Sequence, residues 1–371
     1  MKRNIAMLAA VGLVTFSCQP KEQQTFTTQN IDSDSVFVDS VFTAKMMVDH
    51  EGGITGADGT YSIPLKDGKS LFLFGDTFTH QVTDNSREEL KPAFIHNSFM
   101  LADQESGQLK PIYPVEHGKH EAIAEPKEEG HWYWPGTGYE EDGKLYVFMS
   151  DFYQKTDDPM WGFAWYATDL LVYDMNEFSL LKQERIPFSQ ENDVHYGHAV
   201  TRDGEYVYIY GAKSVDGHSQ AHVARAKHED IFTDWEFFNG TEWVKDPKQS
   251  QPMKGLETVE VSEQFNVVNM HGKFVLLTQQ RGIGEPEIFT FTSDSPTGNW
   301  DNKVSIYKTT EQGFGKNTYA YNAMIHPQFE KDGRIYVSYN VNSLKYEEVF
   351  ADASIYRPRF ISVPVKKILG E

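Results

Sequence analysis

Two aspartates, placed where one strand begins and its partner ends, carry the most pointed chemistry in the chain. Asp58 lies in Gly56-Ala57-Asp58, and Asp76 lies in Gly75-Asp76-Thr77 after the run Leu71-Phe72-Leu73-Phe74. An antiparallel pair sets such positions side by side. Two close carboxylates resist joint ionisation, so one keeps a proton near neutrality while the other stays charged. Hydrolysis of a glycosidic bond needs such a pair. The competing role for Asp76 is to cap the Gly-Asp-Thr turn. Glu263, at the start of a later strand, is a third candidate, a proton donor reaching the same site from across it.

Around these carboxylates the sequence places a set of binding candidates at strand starts and ends: His131, Trp134, Asp151, His198, Gln264, Gln280, Arg281, Tyr321, Asn322, Arg357 and Arg359. Imidazoles and amides suit sugar hydroxyls. Trp132, Trp134, Trp161 and Trp165, with Tyr319 and Tyr321, either stack on sugar C–H faces or pack in the core. The three arginines either clamp acidic groups of a glycan or pair with Asp58 and Glu263. His131, His195, His198 and His326 lack the helical spacing of a metal motif, and His195 and His198 on a regular strand point to opposite faces. No catalytic metal or cofactor is expected; a structural calcium is compatible with the pattern. There is no phosphate-binding glycine loop, no Gly-x-Ser-x-Gly elbow and no Cys-His pair.

The elements that must position these residues repeat. A polar-aromatic strand, a tight turn with glycine and an aromatic-aliphatic strand recur five times, around Gly68, Gly143, Gly204, Gly272 and Gly333. Asp-Gly at four of these turns supplies the positive φ of a two-residue hairpin. The interval between turns leaves room for two more strands, with third strands expected at His96–Asp103, Trp165–Asp174, Ala221–Lys227, Glu287–Ser293 and Tyr356–Pro364. The fold class is therefore all-β, a five-bladed β-propeller of four-stranded antiparallel blades. Ser40–Val48 is expected to close the ring as the last strand of blade 5. Inner-strand starts and second-strand ends share one face, where the candidates above converge on a funnel.

Composition bounds the partners. The chain has 371 residues, a formal net charge of −20 and 14% aromatic residues. So acidic a protein does not neutralise nucleic-acid phosphates. One cysteine, Cys18, excludes a disulfide framework. Lys2 and Arg3, a short apolar run to Val14, and Thr15-Phe16-Ser17-Cys18 read as a lipoprotein signal over 1–17 with lipidation at Cys18. Residues 18–35 read as a flexible tether and 36–371 as the propeller domain. The expected setting is the bacterial cell envelope, with the lipid anchor as sole membrane contact and a monomer on a carbohydrate substrate.

Gly56-Ala57-Asp58-Gly59-Thr60-Tyr61-Ser62, followed by Leu71 to Thr77, resembles the opening signature of the domain-of-unknown-function family 4185. Trp134-Pro135-Gly136 and Tyr356-Arg357-Pro358-Arg359-Phe360 are weaker echoes. That resemblance implies a glycoside hydrolase family 183-like, five-bladed propeller acting on an arabinan-like glycan, with Asp58 and Asp76 catalytic. The wider five-bladed glycosidases such as family 43 also place an Asp on the first inner strand, but carry further carboxylates on later blades. Here the third inner strand reads His195-Tyr196-Gly197-His198. The functional expectation is a lipid-anchored glycoside hydrolase; the alternatives are a non-catalytic glycan-binding lipoprotein and a propeller serving protein assembly.

Overall fold

The second strand of each repeat is apolar on both sides, and the structure shows why. In a computed structural model, which describes residues 34–88, 94–257, 259–280, 285–313 and 315–371, each such strand is sandwiched between two neighbouring blades. Leu71 and Leu73 face blade 2, packing with Tyr133, Leu145 and Val147. The intervening Phe72 and Phe74 face blade 5, packing with Phe360 and Met46. Likewise Val207 and Ile209 join the blade 2 seam, while Tyr208 and Tyr210 join the blade 4 seam. Blades 4 and 5 meet through Val275, Leu277, Ile325 and Val337. Period-2 alternation thus sends every other side chain into a different seam.

Five antiparallel blades result. Blade 1 is Tyr61–Pro64, Lys69–Phe74, Ser98–Asp103 and Leu109–Ile112. Blade 2 is His131–Glu141, Lys144–Gln154, Phe163–Asp174 and Leu180–Ile186. Blade 3 is His195–Asp203, Tyr206–Val215, His218–Lys227 and Glu236–Phe238, extended by the short strand Trp243–Val244. Blade 4 is Asn266–Met270, Lys273–Gln279, Glu287–Ser293 and Asp301–Lys308. Blade 5 is Thr318–Lys331, Arg334–Ser343 and Arg359–Pro364, and its outer strand is Phe37–Val38. Asp142-Gly143, His271-Gly272 and Asp332-Gly333 take positive φ at both turn positions, as the hairpin chemistry requires.

Two expectations change. Ring closure falls to Phe37–Val38, which pairs with Ile361 and Ser362. Ser40–Met46 is instead a helix, begun by the Asp39 carboxylate accepting the Phe42 backbone N–H at 2.9 Å. Phe42 and Met46, four residues apart, lie on the helix face that packs at the blade 5/blade 1 seam, so the apolar spacing there is helical. The second change concerns the inner strands. Those of blades 2, 3 and 5 slip register between Pro135 and Gly138, between Tyr196 and Ala199, and between Tyr321 and Met324. Each bulge turns the side chains beside it. His195 and His198 therefore do not point to opposite faces: their ring centroids lie 4.3 Å apart. The signal 1–17, Cys18 and the tether up to 33 lie outside the described residues, as does Arg281.

The blade 3 bulge requires glycine. Gly197 has φ +106°, and a Cβ there would stand 2.6 Å from the Phe148 Cβ. Gly197→Ala is expected to lower stability by about 1–3 kcal/mol, read as a lower urea midpoint with an unchanged denaturant slope.

Candidate functional site

A cavity of about 980 Å³ opens at the mouth of the ring where the inner strands begin. Asp58, Asp76, Glu263, Trp134, His198, Gln264, Gln280, Tyr321 and Asn322 all line it. Each aspartate is held in the same way, two donors fixing one carboxylate oxygen. The Tyr321 and Tyr356 hydroxyls donate to Asp58 Oδ2 at 2.8 and 3.1 Å. Trp134 Nε1 donates to Asp76 Oδ1 at 2.8 Å, and His96 Nδ1 meets the same oxygen at 2.9 Å.

The two side chains are also tied to one another. The Gly75 backbone N–H donates to the Asp58 carbonyl at 3.0 Å, and the Asp76 backbone N–H donates to the Asp58 carboxylate. A carboxyl sits only a few bonds from its own backbone nitrogen, so the pair falls inside the ~9.5 Å limit of glycosidase carboxylates. Burial, followed by the Asp76 charge, pushes the Asp58 carboxyl up from 3.8 to about 7, against the hydrogen bonds that favour its ionised form. His96 experiences the reverse balance. Burial opposes its imidazolium, but the hydrogen bond and charge of Asp76 outweigh that and raise it above 6.5.

The cavity walls differ. The blade 2 side is aromatic: Trp132, Trp134, Phe152, Phe163 and Trp165. His96 stacks on Trp132 with centroids 5.2 Å apart, and His195 stacks on Trp165 at 4.5 Å. The blade 4 and 5 side is amide-rich, with Gln264, Gln279, Gln280, Asn322 and Asn342, and Asn322 donates to Gln264 Oε1. Below them His198 is 2% exposed with both ring nitrogens unpartnered, and burial holds it down at about 3. His195 lies well below its ordinary value through burial and the neighbouring His198, and it hydrogen-bonds Ser150 Oγ at 2.7 Å. Both imidazoles are neutral at physiological pH.

Four predicted binding residues lie elsewhere. Asp151 is fully buried, gripped by His131 Nδ1 at 2.7 Å and by Arg185 Nη2 at 2.7 Å. Glu128, His131 and Asp151 come close enough to share a cation, but the Arg185 guanidinium already bridges Glu128, Asp151 and Asp169. Arg357 turns away to the Thr55 carbonyl and the Asp49 carboxylate, and Arg359 to the carbonyls of Arg357 and Ser354 and toward Glu311. Buried carbonyls beside these guanidinium groups take up their donors. Conversely His96 and Tyr356 line the cavity without having been singled out. His96 and Tyr356 precede third strands, and the topological rule that brought Arg357 and Arg359 to this face applies equally to them.

The fold and this pair define a five-bladed propeller with two adjacent aspartates at one mouth of its ring. The chain belongs to the family described as domain of unknown function DUF5005, whose model matches residues 42–365. The family 4185 resemblance is confined to the motifs quoted above. A Bacteroides ovatus protein provisionally described as a hydrolase is similar over 90% of this chain and 92% of its own, at 19% identity and a TM-score of 0.72. The Listeria innocua β-1,2-mannobiose phosphorylase, solved with β-1,2-mannobiose, is similar at 11% identity and TM-score 0.50, covering 90% of this chain and 98% of its own. A Bombyx mori β-fructofuranosidase variant in complex with sucrose gives 12% identity and TM-score 0.50, over 87% of this chain and 62% of its own. No curated protein sequence matches the chain.

The raised Asp58 has a stability consequence with a defined sign. Between its unfolded value of 3.8 and its folded value of about 7, the folded state binds a proton that the unfolded state releases. Stability therefore falls as pH rises through this window. Asp58→Asn removes that loss, so the variant's advantage over wild type should grow from pH 4 to pH 8 by a few kcal/mol, measured by urea unfolding at each pH.

Proposed function

We propose that this protein is a glycoside hydrolase, with Asp58 and Asp76 as its working pair. The observation that carries this reading is the pair itself: two adjacent carboxylates, each held by side-chain donors, one of them retaining its proton to about pH 7. Asp58 donates its proton to the departing glycosidic oxygen. Asp76 serves as the anionic partner, either activating water or attacking the anomeric carbon, two routes that differ in stereochemical outcome. Glu263, lining the cavity from blade 4, is the alternative donor.

The aromatic wall suits sugar C–H faces, and the amide wall suits hydroxyls. Three carboxylates line the cavity, and among the described residues no Lys or Arg does. This supports a neutral glycan over an anionic one. Sucrose and β-1,2-mannobiose in the two complexes named above support a carbohydrate ligand for a propeller of this shape. The blade 1 signature supports an arabinan-like chain. We further propose a monomer held at the bacterial envelope by a lipid on Cys18, outside the described residues; among the described residues no helix is long and apolar enough to cross a membrane.

Residues 19–371 screened against neutral glycans should release product. Asp58→Asn and Asp76→Asn should each lower kcat/KM by about 10²–10⁴-fold, and wild-type activity should decline as pH rises through 7 as Asp58 loses its proton. Binding without product release would leave a glycan-binding module in place of an enzyme. Release unchanged in both variants would remove the assignment of these residues and shift attention to Glu263→Gln.

A further inference from the structure

Of the seven tryptophans, all among the described residues, Trp161 alone is exposed, at 48%. It lies in the hairpin that joins the second and third strands of blade 2, between Gln154 and Phe163. A single exposed apolar side chain is ordinary on a loop. Trp161 differs in two respects: its backbone is tied down, and it continues the wall of the large cavity.

Hydrogen bonds close the loop. The Lys155 and Thr156 N–H groups donate to the Gly162 carbonyl at 2.7 and 3.0 Å, and the Gly162 N–H donates to the Asp158 carbonyl at 2.9 Å. Gln154 Nε2 donates to the carbonyls of Thr156 and Asp158 at 2.9 and 2.6 Å. Asp158 Oδ1 accepts the backbone N–H groups of Met160 and Trp161 at 2.9 and 3.0 Å. Gly162 is required at the crossing, because a Cβ there would stand 2.3 Å from the Asp158 carbonyl oxygen. The indole is thus presented from an ordered backbone, which lowers the entropy lost when a ligand covers it.

The wall leads outward from the carboxylates. Trp134, which donates to Asp76, packs on Phe152 and Phe163 with centroids 4.6 and 5.0 Å away. Trp161 precedes Phe163 by two residues and lines the same cavity, together with Pro159 and Met160. Deeper in, one face of Trp132 is covered by His96 and one face of Trp165 by His195. Trp161 is therefore the indole of this wall with most surface left for a ligand. At about 980 Å³ the cavity lies at the upper end of the ~300–1,000 Å³ spanned by small-molecule sites, room for more than the two sugars that share a scissile bond.

We propose that Trp161 is a distal sugar-binding platform. It stacks on the C–H face of a neutral sugar ring beyond the bond held at Asp58 and Asp76, so the protein prefers a longer oligosaccharide to a disaccharide. This rests on the reading of the cavity as a glycan site, but not on hydrolysis. The full chain carrying Asp76→Asn, so that no bond is cleaved, is titrated with arabinan, mannan and xylan oligosaccharides from disaccharide to hexasaccharide. Calorimetry gives affinity, and iodide quenching of tryptophan fluorescence reports the exposed indole. Affinity should rise with chain length in at least one series, and the longer ligands should shield Trp161 from iodide. Adding Trp161→Ala should lower affinity for the longest ligand about tenfold and leave that for the disaccharide little changed, with Trp161→Phe recovering most of the loss. Affinity independent of length, a length dependence retained in Trp161→Ala, or no glycan binding at all overturns the proposal. Length-dependent binding lost in Trp161→Ala, with no product released by the wild type, upholds the platform and removes the hydrolase reading. Product release by the wild type, with length dependence untouched by Trp161→Ala, does the reverse.

Discussion

Closure of the ring at the seam between blades 5 and 1 is the constraint on which the rest of the structure depends. A propeller whose first and last blades do not meet exposes two apolar sheet faces, so the chain's ends must be joined without a covalent link. Phe37–Val38 completes blade 5 from the N-terminal side. Arg87, buried at 6% exposure, then fastens blade 1 to the segment before the last strand. Its guanidinium donates to the carbonyls of Val349, Ile355, Thr55 and Ala353 at 2.7–3.1 Å. The same seam builds the site, because Asp58 comes from blade 1 while both hydroxyls that hold it come from blade 5. Asp76 is held across the next seam by Trp134. The carboxylate pair therefore forms only when three consecutive blades are docked.

The choice of donors explains the electrostatics. A guanidinium beside Asp58 would stabilise its anion and pull the carboxyl down. Two phenolic hydroxyls hold the geometry with far less electrostatic pull, so burial and Asp76 prevail and the proton is retained to about pH 7. The arginines that flank this region face backbone carbonyls and peripheral acids instead. Asp151 is pushed up by burial as well, against the pull of His131 and Arg185, but those two partners occupy its oxygens and leave it no role in the cavity. Position on the functional face alone does not separate these two kinds of aspartate; the partners do.

Much of the architecture was legible because it is local or periodic. Asp-Gly turns and two-sided apolar strands are written residue by residue, and the five seams follow from them. What escaped depends on contacts between distant residues. The blade 3 bulge leaves Gly197 and His198 unpaired between Tyr196 and Ala199, and nothing in His195-Tyr196-Gly197-His198 announces it except the glycine. Yet that irregularity breaks the alternation and brings both imidazoles together. The closing strand was misplaced by a few residues because Phe42 and Met46 fit a buried strand in composition and a helix face in spacing. Arg357 and Arg359 were placed on the correct face, but whether a guanidinium looks inward depends on which carbonyls remain unsatisfied around it.

The bulges and the site are linked by crowding at the axis. Near the mouth the inner strands of blades 2 and 3 approach so closely that a Cβ on Gly136 would meet the Gly197 carbonyl oxygen. A regular strand cannot continue through such a contact with ordinary side chains. The chain yields by inserting one residue in blades 2 and 5 and two in blade 3, with Gly197 at φ +106° and Asn322 at φ +49° marking two of the three bulges. Each insertion stops the strict alternation that would send half of these side chains into the seams. His198 and Asn322 then join the cavity lining. The steric demand of packing five strands around one axis thus concentrates polar side chains at a single mouth, beside the carboxylates that closure of the ring has brought there.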